Sequence, residues 1–172
     1  DPYTAIHQRR VSQLAEAIGV ELGLETERLE GLRMAGLLHD LGKLRVPAEI
    51  LAKPGRLTEF EMGLVKEHSD TGFEILQRID FPWPLAQVVV QHHERLDGSG
   101  YPAGLSGDAI LLEARIIGVA DVVEAMASHR PYRPALGLDV ALDEIRKHSG
   151  TRYDAEVVEA CVALFADKGF EL

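Results

Sequence analysis

Apolar side chains recur along this chain at spacings of three and four residues almost from end to end, without the sustained alternation a strand needs, so the pattern predicts an all-α domain of about seven helices. The first helix runs from about Pro2 to Leu22, with His7, Val11, Leu14 and Ile18 on one stripe and Asp1-Pro2 as N-cap and first helical residue. A second begins near Thr26, carries Leu29, Leu32, Gly36 and His39 along one face, and stops at Gly42 as a C-cap. After a connector from Leu44 to Leu57, broken by Pro47, Pro54 and Gly55, Thr58-Glu59-Phe60-Glu61 has capping-box spacing. It opens a helix that reaches about His68, with Leu64 and His68 on one face, and a short helix follows over about Thr71 to Ile79. Leu85, Val88, Val89, His92 and His93 form the next stripe, which the histidine pair closes. Leu96 to Gly107 holds four glycines and a proline and reads as a loop longer than an ordinary connection, a feature often tied to function. Helical spacing returns from about Leu112 to Ser128, breaks at Arg130-Pro131-Tyr132-Arg133-Pro134, and resumes over about Asp139 to Lys147 and Asp154 to Asp167, the last on an Asp N-cap. Val157 to Phe165 reads as a surplus apolar face on which a second copy could pair.

At 172 residues, 46% apolar and 27% charged, the chain suits one globular domain. No apolar run approaches the roughly 20 residues that cross a bilayer, and the opening DPYTAIHQRR lacks the apolar stretch of a secretory signal, so a cytoplasmic protein without a membrane span is expected. The absence of an initiator methionine makes the chain read as a fragment of a longer, multidomain protein. The single cysteine, Cys161, excludes an internal disulfide and a thiolate cluster, leaving histidine and carboxylate for any metal. A net charge of -10 argues against a broad footprint on duplex nucleic acid and leaves room for a small anion held by metals and a few local cations.

Five of the seven histidines, His7, His39, His68, His92 and His93, fall on the apolar side or at the end of a predicted helix, in company with Asp40 and Asp121. A single inward histidine is more often a hydrogen-bonded core residue than a ligand. Several imidazoles sharing one core without a common partner would each carry a desolvation cost, which a bound metal removes. Imidazole with carboxylate suits first-row divalent metals, and Asp40, beside His39, is the natural bridge between two ions. The spacing permits this convergence without imposing it.

His39-Asp40-Leu41-Gly42-Lys43, followed by His92-His93-Glu94, Asp97-Gly98-Ser99-Gly100-Tyr101-Pro102 and Arg130-Pro131-Tyr132-Arg133, resembles the HD-GYP family over about His7 to Asp154. The resemblance implies a bacterial metal-dependent phosphohydrolase of the HD superfamily that hydrolyses the second messenger cyclic di-GMP to linear pGpG, with GMP after a second cut. Carried over residue by residue, it implies metal ligation by His7, His39, Asp40, His68, His92, His93 and Asp121, with iron or manganese as the metal. It gives Lys43 a substrate phosphate or the nucleophile, and Tyr101, Arg130 and Arg133 the substrate. A permanently charged guanidinium fork suits phosphate or guanine. Tyr101 is also expected to fill a gap in the core, and Glu94 to hold an imidazole N–H. Some relatives bind a third metal through a glutamate one turn before the first histidine; Tyr3 stands there, so two metals are expected. Glu124 occupies a position where relatives often have aspartate. The resemblance further implies docking of diguanylate cyclase domains on the GYP loop and an upstream sensory or receiver domain. Competing readings are a catalytically silent cyclic di-GMP-sensing or docking module, against which the intact ligand set weighs, and a phosphohydrolase for another cyclic dinucleotide or nucleotide, which the GYP loop disfavours.

Overall fold

The stripe of His7, Val11, Leu14 and Ile18 turns inward on a helix, α1 (Pro2–Glu21), whose Val11, Leu14 and Ile18 are fully buried. The structure is a computed structural model that describes residues 2–129 and 135–172, with side chains from Thr4 on. Asp1, the side chain of Tyr3, and Arg130 and Arg133 with the break between them lie outside the described residues. The other described helices are α2 (Thr26–Leu38), α3 (Ala48–Leu51), α4 (Glu59–Lys66), α5 (His68–Leu76), α6 (Leu85–Gln91), α7 (Leu112–Ala127), α8 (Leu138–Lys147) and α9 (Ala155–Asp167). No strand occurs among the described residues, as the periodicity predicts. Among the described residues the helix count exceeds the expected seven partly because the proline-broken connector folds the one-turn α3, just after a 3-10 turn at Leu41–Arg45.

Around one apolar core, α1 packs on α2 and α7, α5 on α6 and the 3-10 turn, and α7 on α8 and α9. Local signals set several helix starts. Thr58 accepts from the Glu61 N–H while the Glu61 carboxylate accepts from the Thr58 N–H, completing the capping box of α4. Asp154 caps α9 by accepting from the N–H groups of Glu156 and Val157. No helix among the described residues is long and apolar enough to cross a membrane.

Three expectations are corrected. Gly42 does not cap α2, which ends at Leu38; it lies in the 3-10 turn, pressed against the start of α5. His68 does not continue the helix of Leu64: α4 stops at Lys66, and His68 opens α5 while its Nδ1–H reaches back to the Val65 carbonyl at 2.6 Å. The apolar face of α9 is core, with Val157, Val158, Cys161 and Leu164 buried where the helix packs on α1 and α7, so it is not a surplus surface.

Candidate metal centre

Helix ends bring the predicted ligands together. α1 supplies His7, the end of α2 supplies His39 and Asp40, the start of α5 supplies His68, the end of α6 supplies His92 and His93, and the middle of α7 supplies Asp121. They form two triads, His7 with His39 and Asp121, and His68 with His92 and His93, each with its ligand atoms within 4.8 Å of one another. Asp40 stands between them. Its Oδ2 lies 3.6 Å from His7 Nε2 and 3.5 Å from His39 Nε2, and its Oδ1 lies 3.6 Å from His68 Nε2. The convergence that spacing alone left open is therefore present, with one carboxylate oxygen turned to each triad.

Three of the histidines stand just past the ends of α2, α4 and α6, where the last carbonyls lack helical partners. Each donates its Nδ1–H to the carbonyl three residues back: His39 to Gly36 at 2.8 Å, His68 to Val65 at 2.6 Å, and His92 to Val89. A carbonyl can only accept, so Nδ1 carries a proton and, in the neutral ring, Nε2 turns its lone pair to the triads. The Nε2 atoms of His7 and His39 are buried without a well-aligned hydrogen-bond partner.

Charge points the same way. Burial holds His93 down to about 3 and keeps His68 and His92 below the usual imidazole range, so these rings are neutral, as metal ligation requires. Burial also opposes ionisation of Asp40 and Asp121. His39 and Lys43 nevertheless hold Asp40 well below the usual carboxylate range, and His7 and His39 do the same for Asp121. At His7 burial is outweighed by Asp121 and Glu124, which raise it to about 9. A protonated His7 and a bound cation are alternative answers to the same buried excess of negative charge. Orphaned Nε2 atoms, ionised carboxylates and the absence of thiolate fit a divalent metal ion.

Around the triads, Lys43 Nζ donates to Asp40 Oδ2 at 2.6 Å and remains partly exposed. Tyr101 stacks on His93 with ring centroids 4.7 Å apart and donates its backbone N–H to the His93 carbonyl at 3.3 Å, so it packs directly on a predicted ligand. Gly100 makes this approach possible: a Cβ there would come within 2.5 Å of the Arg95 nitrogen and the His93 carbonyl oxygen.

Glu94 behaves differently from expectation. Its buried carboxylate accepts from the N–H groups of Ala103 at 2.8 Å and Leu105 at 3.0 Å, tying down the glycine-rich loop instead of holding an imidazole. Past the end of α6, the side chain meets the loop that folds back over it. Glu94→Ala is expected to cost about 1–3 kcal/mol in thermal denaturation, through two lost charge-assisted bonds, and to expose the loop to proteolysis. An unchanged melting temperature with an equally protected loop would count against this role.

The carboxylate that does hold an imidazole is Glu124, whose Oε2 accepts from His7 Nδ1. The signal available in sequence was its place one turn beyond Asp121 on α7. Lys66 was also missed: its Nζ lies 5.0 Å over the Tyr101 ring, and among the described residues it makes no ion pair. Its position two residues before His68 was the only hint.

The HD-domain family profile matches residues 2–157. The chain belongs to the HD-domain family. This HD domain is 43% identical over 162 residues to the cyclic di-GMP phosphodiesterase response regulator RpfG of Xanthomonas campestris pv. campestris, covering 93% of this chain and 43% of that protein. It is 41% identical over 161 residues to the 3'3'-cGAMP-specific phosphodiesterase 1 of Vibrio cholerae serotype O1, covering 93% of this chain and 37% of that protein. Among solved structures, Bd1817, a HDG"Y"P protein from Bdellovibrio bacteriovorus, shares the fold with a TM-score of 0.76 at 19% identity, over 94% of this chain and 52% of that one. The HD-GYP resemblance of the motifs is borne out. This HD domain spans less than half the length of the two curated relatives it matches here.

Proposed function

We propose that this HD domain is a metal-dependent phosphodiesterase that hydrolyses cyclic di-GMP to linear pGpG, with GMP after a second cut. The observation that carries this reading is the division of Asp40 between two triads, with Lys43 held against the same carboxylate. The names of the curated relatives at about 40% identity support it.

His7, His39 and Asp121 would hold one divalent ion, His68, His92 and His93 another, and Asp40 would offer an oxygen to each. Ions held there supply Lewis acidity toward a phosphate and a nucleophile at neutral pH. The chain's own groups do the rest. Hydrolysis forms a bond from a water oxygen to phosphorus while the bond from phosphorus to the 3′ oxygen breaks, and the proton lost by the water ends on the departing 3′ hydroxyl. Lys43, partly exposed beside Asp40, offsets the charge that builds on the non-bridging phosphate oxygens. Lys66 adds a second cation over Tyr101, and Arg130 and Arg133 complete the substrate contacts. The His-rich, oxygen-supplemented donors suit iron or manganese. The loop that Glu94 fastens gives diguanylate cyclase domains a preformed docking surface, and an upstream sensory or receiver domain would gate turnover in the cytoplasm.

A second reading, a preference for a mixed cyclic dinucleotide, is favoured by the 41% identity to an enzyme named for 3'3'-cGAMP. One experiment addresses both. The domain is purified without oxygen, its iron and manganese are quantified, and it is incubated with cyclic di-GMP and with 3'3'-cGAMP in parallel. About two ions per chain with faster release of pGpG is the expected result. Faster cleavage of 3'3'-cGAMP would transfer the assignment to the mixed nucleotide. Full occupancy without turnover of either would favour a sensing module, and a folded domain that takes up no metal would overturn the reading.

A further inference from the structure

We propose that Glu124 is a positioning residue that holds His7 in its ligating orientation and thereby governs occupancy of the His7–His39–Asp121 position separately from the His68–His92–His93 position. The inference rests on the reading of the two triads as metal positions. His39, His68 and His92 are oriented by spare carbonyls at helix ends. His7 has no such carbonyl. It lies inside α1, where the carbonyls of the preceding turn are engaged in the helix itself, so its Nδ1–H needs an acceptor from elsewhere in the fold. Glu124, 2% exposed and one turn beyond Asp121 on α7, supplies that acceptor from 117 residues away in sequence.

The acceptor is itself held at its other oxygen. Ser128 Oγ donates to Glu124 Oε1 at 2.6 Å, and Arg10 Nη1, one turn beyond His7 on α1, donates to Ser128 Oγ at 3.0 Å. Arg10 also lies 3.8 Å from Glu124 Oε1. The closed circuit His7, Glu124, Ser128, Arg10 thus joins α1 to the end of α7 and leaves Glu124 little freedom to turn away. The two positions are consequently unlike: in one, His7 is backed by a buried carboxylate, while in the other, His68 and His92 turn their Nδ1–H groups to backbone carbonyls.

The test is a titration of the metal-free domain with cobalt(II) alone, followed by its absorption spectrum and by calorimetry, with thermal unfolding of the metal-free protein alongside. The wild type is expected to bind in two steps. Glu124→Ala is expected to weaken one step by about 10- to 100-fold and leave the other unchanged. In a His92→Ala background, the remaining step should be the one that Glu124→Ala weakens. Glu124→Gln keeps an oxygen for the Nδ1–H and should lose less than Glu124→Ala. Two unaltered steps in folded Glu124→Ala, equal weakening of both, or a Gln variant as impaired as Ala would each overturn the proposal. Should Glu124→Ala fail to fold, Ser128→Ala, which removes only the donor to Oε1, is expected to weaken the same single step, and no change there would overturn it as well. No nucleotide enters this experiment, so a domain inactive on cyclic di-GMP would not alter its outcome.

Discussion

Asp40→Asn is expected to abolish phosphodiesterase turnover and to strip the domain of bound metal while leaving its helices in place. Asp40 faces both triads, with Oδ2 toward His7 and His39 and Oδ1 toward His68. Asparagine preserves the volume, so the packing of the 3-10 turn on α5 has no reason to open. It removes the negative charge and turns one of the two oxygens into an N–H2 donor aimed at Nε2 lone pairs or at a cation. Removing a group that merely orients a ligand costs about 10- to 100-fold in affinity, and a shared ligand should exceed the upper end of that range. Lys43 would lose its 2.6 Å partner at the same time. Metal content by elemental analysis, pGpG release and circular dichroism together read the result. Retention of both ions at a wild-type rate would show that Asp40 bridges nothing.

The second large effect is expected from Gly42→Ala, far out of proportion to the single methyl it adds. A Cβ at this position would lie 1.9 Å from the carbonyl oxygen of His68 and 2.7 Å from the nitrogen of Gly72, both backbone atoms that cannot rotate away. Either the 3-10 turn or the start of α5 must shift. Ordinary overpacking costs about 1–3 kcal/mol, and a backbone collision belongs at or above the top of that range. In a chain of this size each kcal/mol lowers the melting temperature by about 2–4 °C. Because His68 opens α5 and Asp40 precedes the 3-10 turn, the same displacement should pull Asp40 and His68 apart and weaken metal uptake. Gly63 on α4 provides the control: nothing lies within 4 Å of a Cβ there, so Gly63→Ala should be neutral or stabilising by about 0.5–1 kcal/mol. Equal melting temperatures for the two variants would refute the close approach.

How far the fold was legible in the sequence follows from the range of the forces involved. The stripe of His7, Val11, Leu14 and Ile18, the capping box of Thr58 and Glu61, the Asp154 cap and the loop after Leu96 all depend on residues within a few positions of one another. Each was readable because a helix repeats every 3.6 residues and a cap reaches at most three residues along the chain. The candidate ligand set was readable for a related reason. His39-Asp40 and His92-His93 stand where helices end, and inward-facing imidazoles are too costly to accumulate without a shared partner.

What crosses between elements was not readable. Glu94 and Glu124 are both glutamates at or near helical segments, and beyond the place of Glu124 one turn after Asp121 nothing local separates them; the loop folding over one and α1 lying against the other gave the first to the amides of Ala103 and Leu105 and the second to His7. Gly42 looked like a cap because its neighbours in sequence are helical, whereas its actual constraint comes from His68 and Gly72 on α5. The sequence by itself determined which faces are apolar, where most helices begin and end, and which imidazoles and carboxylates are candidates for metal chemistry. Tertiary structure alone decided which carboxylate serves which partner, since that depends on packing between surfaces distant in the chain, and local periodicity carries no information about the surface opposite.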